Sequence, residues 1–287
     1  MLDGQVAIVT GSSRGIGRAV AFSLAAQGAK VVVNGRDADT ARRTADDIGK
    51  TGGEAVAVAG SAADPDVAEQ LLSVALDRLG PVRILVNCAG TAEPQGSSIL
   101  SVTRRDWDDL MEAHLDSAFE TCRVVAPYLV EQGGGAIVNT GSHAFTGIYG
   151  GTGYPAGKGG VNGLTLAIAA ELREHHVRAN VVCPGARTRL STGEDYEAHI
   201  EELHRRGLLD DLSRAGSLDP GPPEYVAELY TYLVTDLARD ITGQIFAGSG
   251  CYVGKFPEPE AQLLTWRDHA ANPPWSLDEL HAFLAGN

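Results

Sequence analysis

The chain has 287 residues, is 44% hydrophobic and carries a formal net charge of −14. That length buries one sizeable core and permits one or two domains. The acidic balance, with no extended basic run, excludes a nucleic-acid partner, because the phosphate backbone needs a cationic surface. Residues 5–10 (QVAIVT) form a short apolar run suited to a buried strand. The run leads into Thr10-Gly11-Ser12-Ser13-Arg14-Gly15-Ile16-Gly17, after which Ile16, Val20 and Leu24 recur at helical spacing. Strand, glycine turn and helix in succession is the context of a dinucleotide-binding motif. The glycines let backbone approach a pyrophosphate, and the helix start offers unpaired N–H groups and the positive end of its dipole.

A second strand over 30–34 ends in Asn34-Gly35-Arg36. An acid at this point would bind the ribose 2′-hydroxyl of NAD, whereas arginine suits the 2′-phosphate of NADP. No acid stands at the strand end, and Arg36 and Arg14 are both placed to meet a phosphate. Asp37, in Asp-Ala-Asp, reads as a helix cap. NADP(H) is therefore favoured and NAD(H) remains open, while the plainer reading of Arg36 is a solvated loop residue.

The alternation continues with a helix over 38–51, a strand over 55–59, a helix over 65–79 and a strand over 83–87 that ends in Asn87-Cys88-Ala89-Gly90. A long helix over 106–131 and a strand over 136–140, ending in Gly141-Ser142, come next. A helix opening at Tyr154 and reaching about 174 follows, then a strand over 178–182 that leads to Cys183-Pro184-Gly185. Repeated β-α units with continuous apolar strands imply a parallel sheet covered on both faces, with ligands at the carboxyl ends of the strands. Gly11, Asn87, Ser142 and Pro184 all follow strand ends and are expected to converge. Tyr154 and Lys158 lie four residues apart, on one helical face. A neighbouring ammonium favours the phenolate and fits a tyrosine for proton transfer; the plainer reading is a surface pair.

Five pieces in this order carry a resemblance: Thr10-Gly-x-x-x-Gly15-Ile-Gly17, Asn87-x-Ala89-Gly90, Ser142, Tyr154-x-x-x-Lys158 and Pro184-Gly185. Over about residues 3–250 the chain resembles the short-chain dehydrogenase/reductase family in its single-domain form. The resemblance implies an α/β fold, a Rossmann-type doubly wound seven-stranded parallel sheet flanked by helices. It implies NAD(P)-dependent hydride transfer between a nicotinamide and a ketone or secondary alcohol, and a homotetramer or homodimer. A 3-oxoacyl, steroid or polyketide-like substrate is equally compatible. Carried over, Tyr154 is the general acid, Lys158 holds the nicotinamide ribose and depresses the Tyr154 pKa, and Ser142 bonds the substrate oxygen. Gly11, Ser13, Arg14, Gly15, Ile16 and Gly17 line the phosphate turn. Asn87, Ala89 and Gly90 lie along the adenosine side, and Pro184, Gly185 and Thr188 close over the carboxamide and pyrophosphate.

Two positions depart from the family pattern. His114 stands where an asparagine usually binds a relay water, and either replaces that relay or is a packed helix residue. Ser61 stands where an aspartate often meets the adenine. Two other functions remain open on the same fold: a catalytically silent NADP(H) sensor, and a lyase or isomerase.

Residues 187–221 are expected to form a substrate lid, with an amphipathic helix over 194–207 and a Pro/Gly hinge over 217–223. Arg187 and Arg189 either hold an acidic substrate group or pair with the acidic lid. His199 and His204 do not share a helical face, so no metal is expected. A helix over 224–235 and a last strand over 241–246 complete a single domain over 1–250. Residues 251–287 extend beyond it. Trp266 and Trp275 need packing partners, and Ser276-Leu-Asp-Glu279 opens a helix over 277–284 as a capping box. This extension is expected to pack on the body or on a neighbouring subunit. Cys88, Cys122, Cys183 and Cys251 lie far apart and read as reduced thiols. No apolar run reaches about 18 residues and the amino terminus is already a strand, so a soluble, cytoplasmic protein is expected.

Overall fold

Alternate residues of the first strand face opposite ways, and two cores follow from that. In the computed structural model, which describes every residue except Gln95, Arg189, Leu190, Cys251, Gly286 and Asn287, β1 (Val6–Thr10) is buried along its whole length. Ala7 and Val9 join a cluster with Val20, Leu24, Tyr230 and Leu233. Val6 and Ile8 join another with Leu71, Val125 and Leu129. A strand buried on both faces is what a parallel sheet between two helical layers requires.

The strands that build this sheet are β2 (Lys30–Gly35), β3 (Glu54–Ala59), β4 (Val82–Asn87), β5 (Gly135–Thr140), β6 (Val177–Pro184) and β7 (Ile245–Ser249). With β8 (Tyr252–Lys255) the order is β3-β2-β1-β4-β5-β6-β7-β8 among the described residues. Ile8 lies between Val32 and Leu85 in register. The order reverses between β1 and β4, and a ligand crevice opens at the carboxyl ends of an α/β sheet at such a point.

The sheet has eight strands rather than the expected seven, because β8 turns back and pairs antiparallel with β7, Ala247 opposite Gly254. The last parallel strand also starts later than its apolar pattern suggests. Gly243 has φ 69°, a left-handed turn, and the strand proper runs from Ile245 through Ser249.

The helices are α1 (Gly15–Ala26), α2 (Ala38–Lys50), α3 (Pro65–Arg78), α4 (Arg104–Met111), α5 (Ser117–Glu131), α6 (Gly153–Glu171), α7 (Glu194–Arg205), α8 (Asp211–Leu218), α9 (Pro223–Val234) and α10 (Leu277–Leu284). The expected continuous helix over 106–131 is interrupted: Glu112–Asp116 form a π-turn between α4 and α5. Residues 187–221, expected as a lid, hold two helices among the described residues. Sequence reasoning found α7 and missed α8, which Asp210 opens by accepting from the Ser213 N–H at 2.7 Å.

The chain divides into the unit Met1–Phe256 and the unit Pro257–Asn287. In the second, the capping box is complete: Ser276 Oγ accepts from Glu279 N, and the Glu279 carboxylate accepts from Ser276 N. Trp275 meets Phe283 edge-on at 4.9 Å and lies under the Arg267 guanidinium at 3.7 Å. Trp266, expected to be packed, is 75% exposed. Within the described residues no helix is long and apolar enough to cross a membrane.

Candidate active site

The glycine turn is held by close backbone approach. Gly11 and Gly15 have φ 59° and 57°, a conformation that suits glycine. A Cβ on Gly11 would stand 2.7 Å from the Ala89 nitrogen, and one on Gly17 would stand 2.5 Å from the Gly11 carbonyl oxygen. β1, α1 and the end of β4 therefore touch through bare backbone. Gly15 also faces Thr188, whose methyl lies 3.8 Å from such a Cβ. Ser13 is buried against Gly35, and Ile16 packs on the first core cluster.

The start of α1 differs from those of the next three helices. Asp37, Asp64, Thr103, Asp210 and Ser276 cap α2, α3, α4, α8 and α10 with side-chain oxygens. Arg14, at the corresponding position of α1, gives no such bond, and the first turn holds no acid. Among the described residues no N-cap side chain bonds the opening N–H groups, which fits a dinucleotide pyrophosphate. Arg14 and Arg36 are exposed beside this turn, with no carboxylate in bonding distance among the described residues. Asp37 is occupied as a cap: its Oδ1 accepts from Thr40 N at 2.7 Å. Ser61 likewise serves a local turn, accepting weakly from Ala63 N at 3.4 Å.

The Asn87 side chain is buried and committed inside the sheet. Oδ1 accepts from Thr121 Oγ1 at 2.8 Å and from Thr10 Oγ1 at 3.2 Å, while Nδ2 donates to Asn139 Oδ1 at 2.9 Å. This network ties β1, β4, β5 and α5 together. Ala89 and Gly90 stay at the crevice: Ala89 beside Gly11, and Gly90 against the His114 ring. Pro184 and Gly185 pair with β7, where Gly185 N donates to Gly248 O at 2.7 Å.

Ser142, Tyr154, Lys158 and His114 gather at the carboxyl ends of β4, β5 and β6. Ser142 opens a 3₁₀ turn over His143–Thr146 and accepts from Ala144 N at 3.2 Å. Lys158 is buried and donates to the Thr140 carbonyl at 2.8 Å, with its Nζ 5.9 Å from the Tyr154 ring centre. Burial pulls its pKa down to about 8, against smaller opposing effects of Cys88 and Cys183. The Tyr154 phenol moves the opposite way from expectation. Burial raises its pKa, a hydrogen bond with Ser142 pulls it down, and Cys183 and Glu93 push it further up. A raised phenol is a proton donor across the neutral range.

His114 sits in the π-turn, 2% exposed, its ring edge-on to Tyr154 at 4.8 Å. Neither ring nitrogen makes a hydrogen bond of ordinary geometry among the described residues, although the Thr91 backbone lies near enough to act on the ring. Burial first and the Lys158 charge second hold its pKa down at about 2, with the Thr91 backbone opposing slightly. Burial thus favours the neutral ring, which lies beside Tyr154.

A family description, short chain dehydrogenase, matches residues 5–195. A hydroxyacyl-CoA dehydrogenase of Mycobacterium tuberculosis is 35% identical, covering 99% of this chain and 88% of the relative. The chain belongs to the short-chain dehydrogenase/reductase family. A 3-oxoacyl-[acyl-carrier-protein] reductase of Synechocystis is 36% identical, covering 87% of this chain and 97% of the relative. A short chain dehydrogenase from Mycobacterium avium, solved as a crystal structure, superposes with a TM-score of 0.78 at 32% identity, covering 99% of this chain and 94% of that one. This short-chain dehydrogenase is an NAD(P)-dependent oxidoreductase.

The glycine-rich loop after Ser142, with His143 and Tyr149, reads in the sequence as a mobile or tightly turned wall of the substrate site; its partners come from distant parts of the chain. Ile200, Leu203 and Leu209 pack with Ile148, Tyr149, Tyr196 and Leu218, so the lid helices rest on the glycine-rich loop after Ser142. Tyr149 shares a hydrogen bond of 2.9 Å with Ser217, and His199 Nε2 contacts the Tyr149 carbonyl at 3.0 Å. Phe256 meets His143 and Phe145 edge-on, each at 5.0 Å. The loop is tightly turned, with φ 85°, 69° and 78° at Gly147, Gly150 and Gly151. Tyr149 sat in plain view in that loop, but its partner Ser217 is 68 residues away, beyond the reach of any local pattern. Arg187 pairs with Asp219, as one of its two sequence readings held; Arg189 lies outside the described residues.

Proposed function

We propose that the protein interconverts a 3-oxoacyl and a 3-hydroxyacyl thioester, with NADP(H) as the preferred cofactor. The observation that carries this reading is the gathering of Ser142 and Tyr154 about the buried Lys158, whose Nζ donates to the Thr140 carbonyl at 2.8 Å and lies 5.9 Å from the Tyr154 ring centre. A bound nicotinamide cofactor supplies or takes the hydride. Tyr154 gives its phenolic proton to the substrate oxygen, and Ser142 Oγ donates a hydrogen bond as charge gathers there. Lys158, anchored on the Thr140 carbonyl, lends positive charge to the phenolate and returns a proton to it. His114 acts as a neutral hydrogen-bonding group beside this path. The thioester class is supported by the names of the two relatives and by the aromatic wall of His143, Phe145, Tyr149 and Phe256. Preference for the phosphorylated dinucleotide rests on Arg14 and Arg36 and on the commitment of Asp37 to its helix. We further infer a homo-oligomer, as is common in the family.

Acetoacetyl-CoA with NADPH is the assay. Tyr154→Phe is expected to lower kcat by roughly 10²–10⁴-fold, the range for loss of a general acid. Cofactor fluorescence titration is expected to find NADPH bound more tightly than NADH by wild type and by Tyr154→Phe alike. Undiminished turnover in the variant would remove Tyr154 from the mechanism, and tighter NADH binding would remove the arginines from cofactor choice.

A further inference from the structure

Helix α6 starts without a cap of its own. Thr152, at its N-cap, makes no side-chain bond to the helix start, and the first turn contains no acid. A single carboxylate from another part of the chain takes that place. Glu93, in the loop after β4, accepts from Thr152 N at 3.2 Å and Gly153 N at 3.3 Å through Oε1, and from Tyr154 N at 2.5 Å through Oε2. Ser97 Oγ also donates to Oε1, at 2.7 Å. The next residue, Pro155, has no N–H, and Ala156 N already bonds the Thr152 carbonyl. The opening turn is left with no unbonded donor. Space for the carboxylate is made by Gly151, where a Cβ would stand 3.1 Å from the Glu93 carboxylate carbon.

The loop that carries Glu93 also carries Gly90, three residues earlier, against the His114 ring. One short stretch therefore touches the π-turn at one end and the start of the tyrosine helix at the other. A negative charge at a helix amino terminus opposes the positive dipole end and makes charge-assisted hydrogen bonds. Here both effects act on the helix residue that bears the reacting phenol.

We propose that Glu93 is a positioning residue whose carboxylate clamps the amino end of α6 and so sets the placement and charge environment of Tyr154. The proposal rests on the reading of Tyr154 as the acid–base residue. Other ionisable groups facing the phenol are His114, Lys158, Cys183, Tyr196 and Tyr230, from the π-turn, α6, β6, α7 and α9. Glu93 is the carboxylate among them, and its charge favours the protonated phenol.

Glu93→Asp keeps the charge and shortens the reach; Glu93→Gln keeps the reach and removes the charge. Hydrogen exchange of a peptide over 149–158 reads the clamp, with a peptide over 104–131 as the internal reference. Phenolate absorbance, taken as the difference from the same protein carrying Tyr154→Phe, reads the phenol without any turnover. Glu93→Asp is expected to speed exchange in 149–158 by about tenfold, leave 104–131 unchanged, and lower kcat by about tenfold at constant KM for NADPH, equivalent to one charge-assisted bond. Glu93→Gln is expected to move the Tyr154 titration to lower pH. Ser97→Ala, a milder variant if either fails to fold, is expected to shift exchange in the same direction by a smaller factor. Wild-type exchange and titration in all three variants would overturn the proposal. Shifts in both, in a protein without reductase activity, would keep the clamp and refute the catalytic role of Tyr154.

Discussion

At the scale of single residues, burial moves the titrations of the groups gathered at the site. His114 is the sharpest case. Below its ordinary pKa of 6.5 the unfolded chain takes up a proton there, while the folded chain does not until about pH 2. The unfolded state binds more protons in that window, so stability falls as pH drops through 6.5. At pH 5 the loss from this one ring is about 2 kcal/mol, at 1.36 kcal/mol for each unit of pH. Urea melts of His114→Asn at pH 7.5 and pH 5 are expected to differ by that much less than those of the wild type. An equal acid sensitivity in both would mean that the ring is protonated in the folded protein. Lys158 behaves in the same sense at the other end of the scale. With its pKa near 8 against an ordinary 10.5, it loses its charge early on the alkaline side.

Single elements account for most of what was legible in the sequence. The glycine turn and the Tyr154–Lys158 pair could be read because each is a local pattern in which backbone conformation or helical periodicity dictates the residue type. The sheet was readable for the same reason, since strand after strand is a continuous apolar run. What stayed hidden depended on distant partners. Glu93 caps a helix 61 residues further on, and Asn87 turns inward because Thr121 and Asn139 wait for it. The π-turn at Glu112–Asp116 has no composition signal; nothing in EAHLD separates it from ordinary helix. β8 was missed because four residues at a sheet edge, with Gly254 among them, have little apolar pattern to offer. Gly11 tests the local part of this account. Gly11→Ala places a Cβ against the Ala89 backbone, at a φ that disfavours side chains. A loss of about 1–3 kcal/mol in chemical denaturation is expected, the range for overpacking, along with weakened NADPH binding. Unchanged stability would mean that β1 and β4 part there without strain.

For the whole molecule, the division at Phe256 matters most. Both large cores, and every residue named at the site, lie in Met1–Phe256. Leu263, Trp266, Leu277 and Leu284 in the second unit are 76%, 75%, 84% and 64% exposed, more apolar surface than so short a segment usually leaves to water. A chain ending at Phe256 is expected to melt cooperatively within a few degrees of the full chain, and to run at a lower mass by light scattering. An unfolded truncated chain would show that the fold needs residues 257–287; an unchanged oligomer would show that the extension has no part in assembly. The strand order has a consequence of another kind, for the birth of the chain. β1 leaves the ribosome first yet lies mid-sheet, flanked by β2 and β4. Its second edge stays unpaired until residue 87 has emerged, several seconds at roughly 5–20 residues per second. For that interval the nascent protein displays a mainly apolar strand with an open edge, a target for a chaperone that shields such edges.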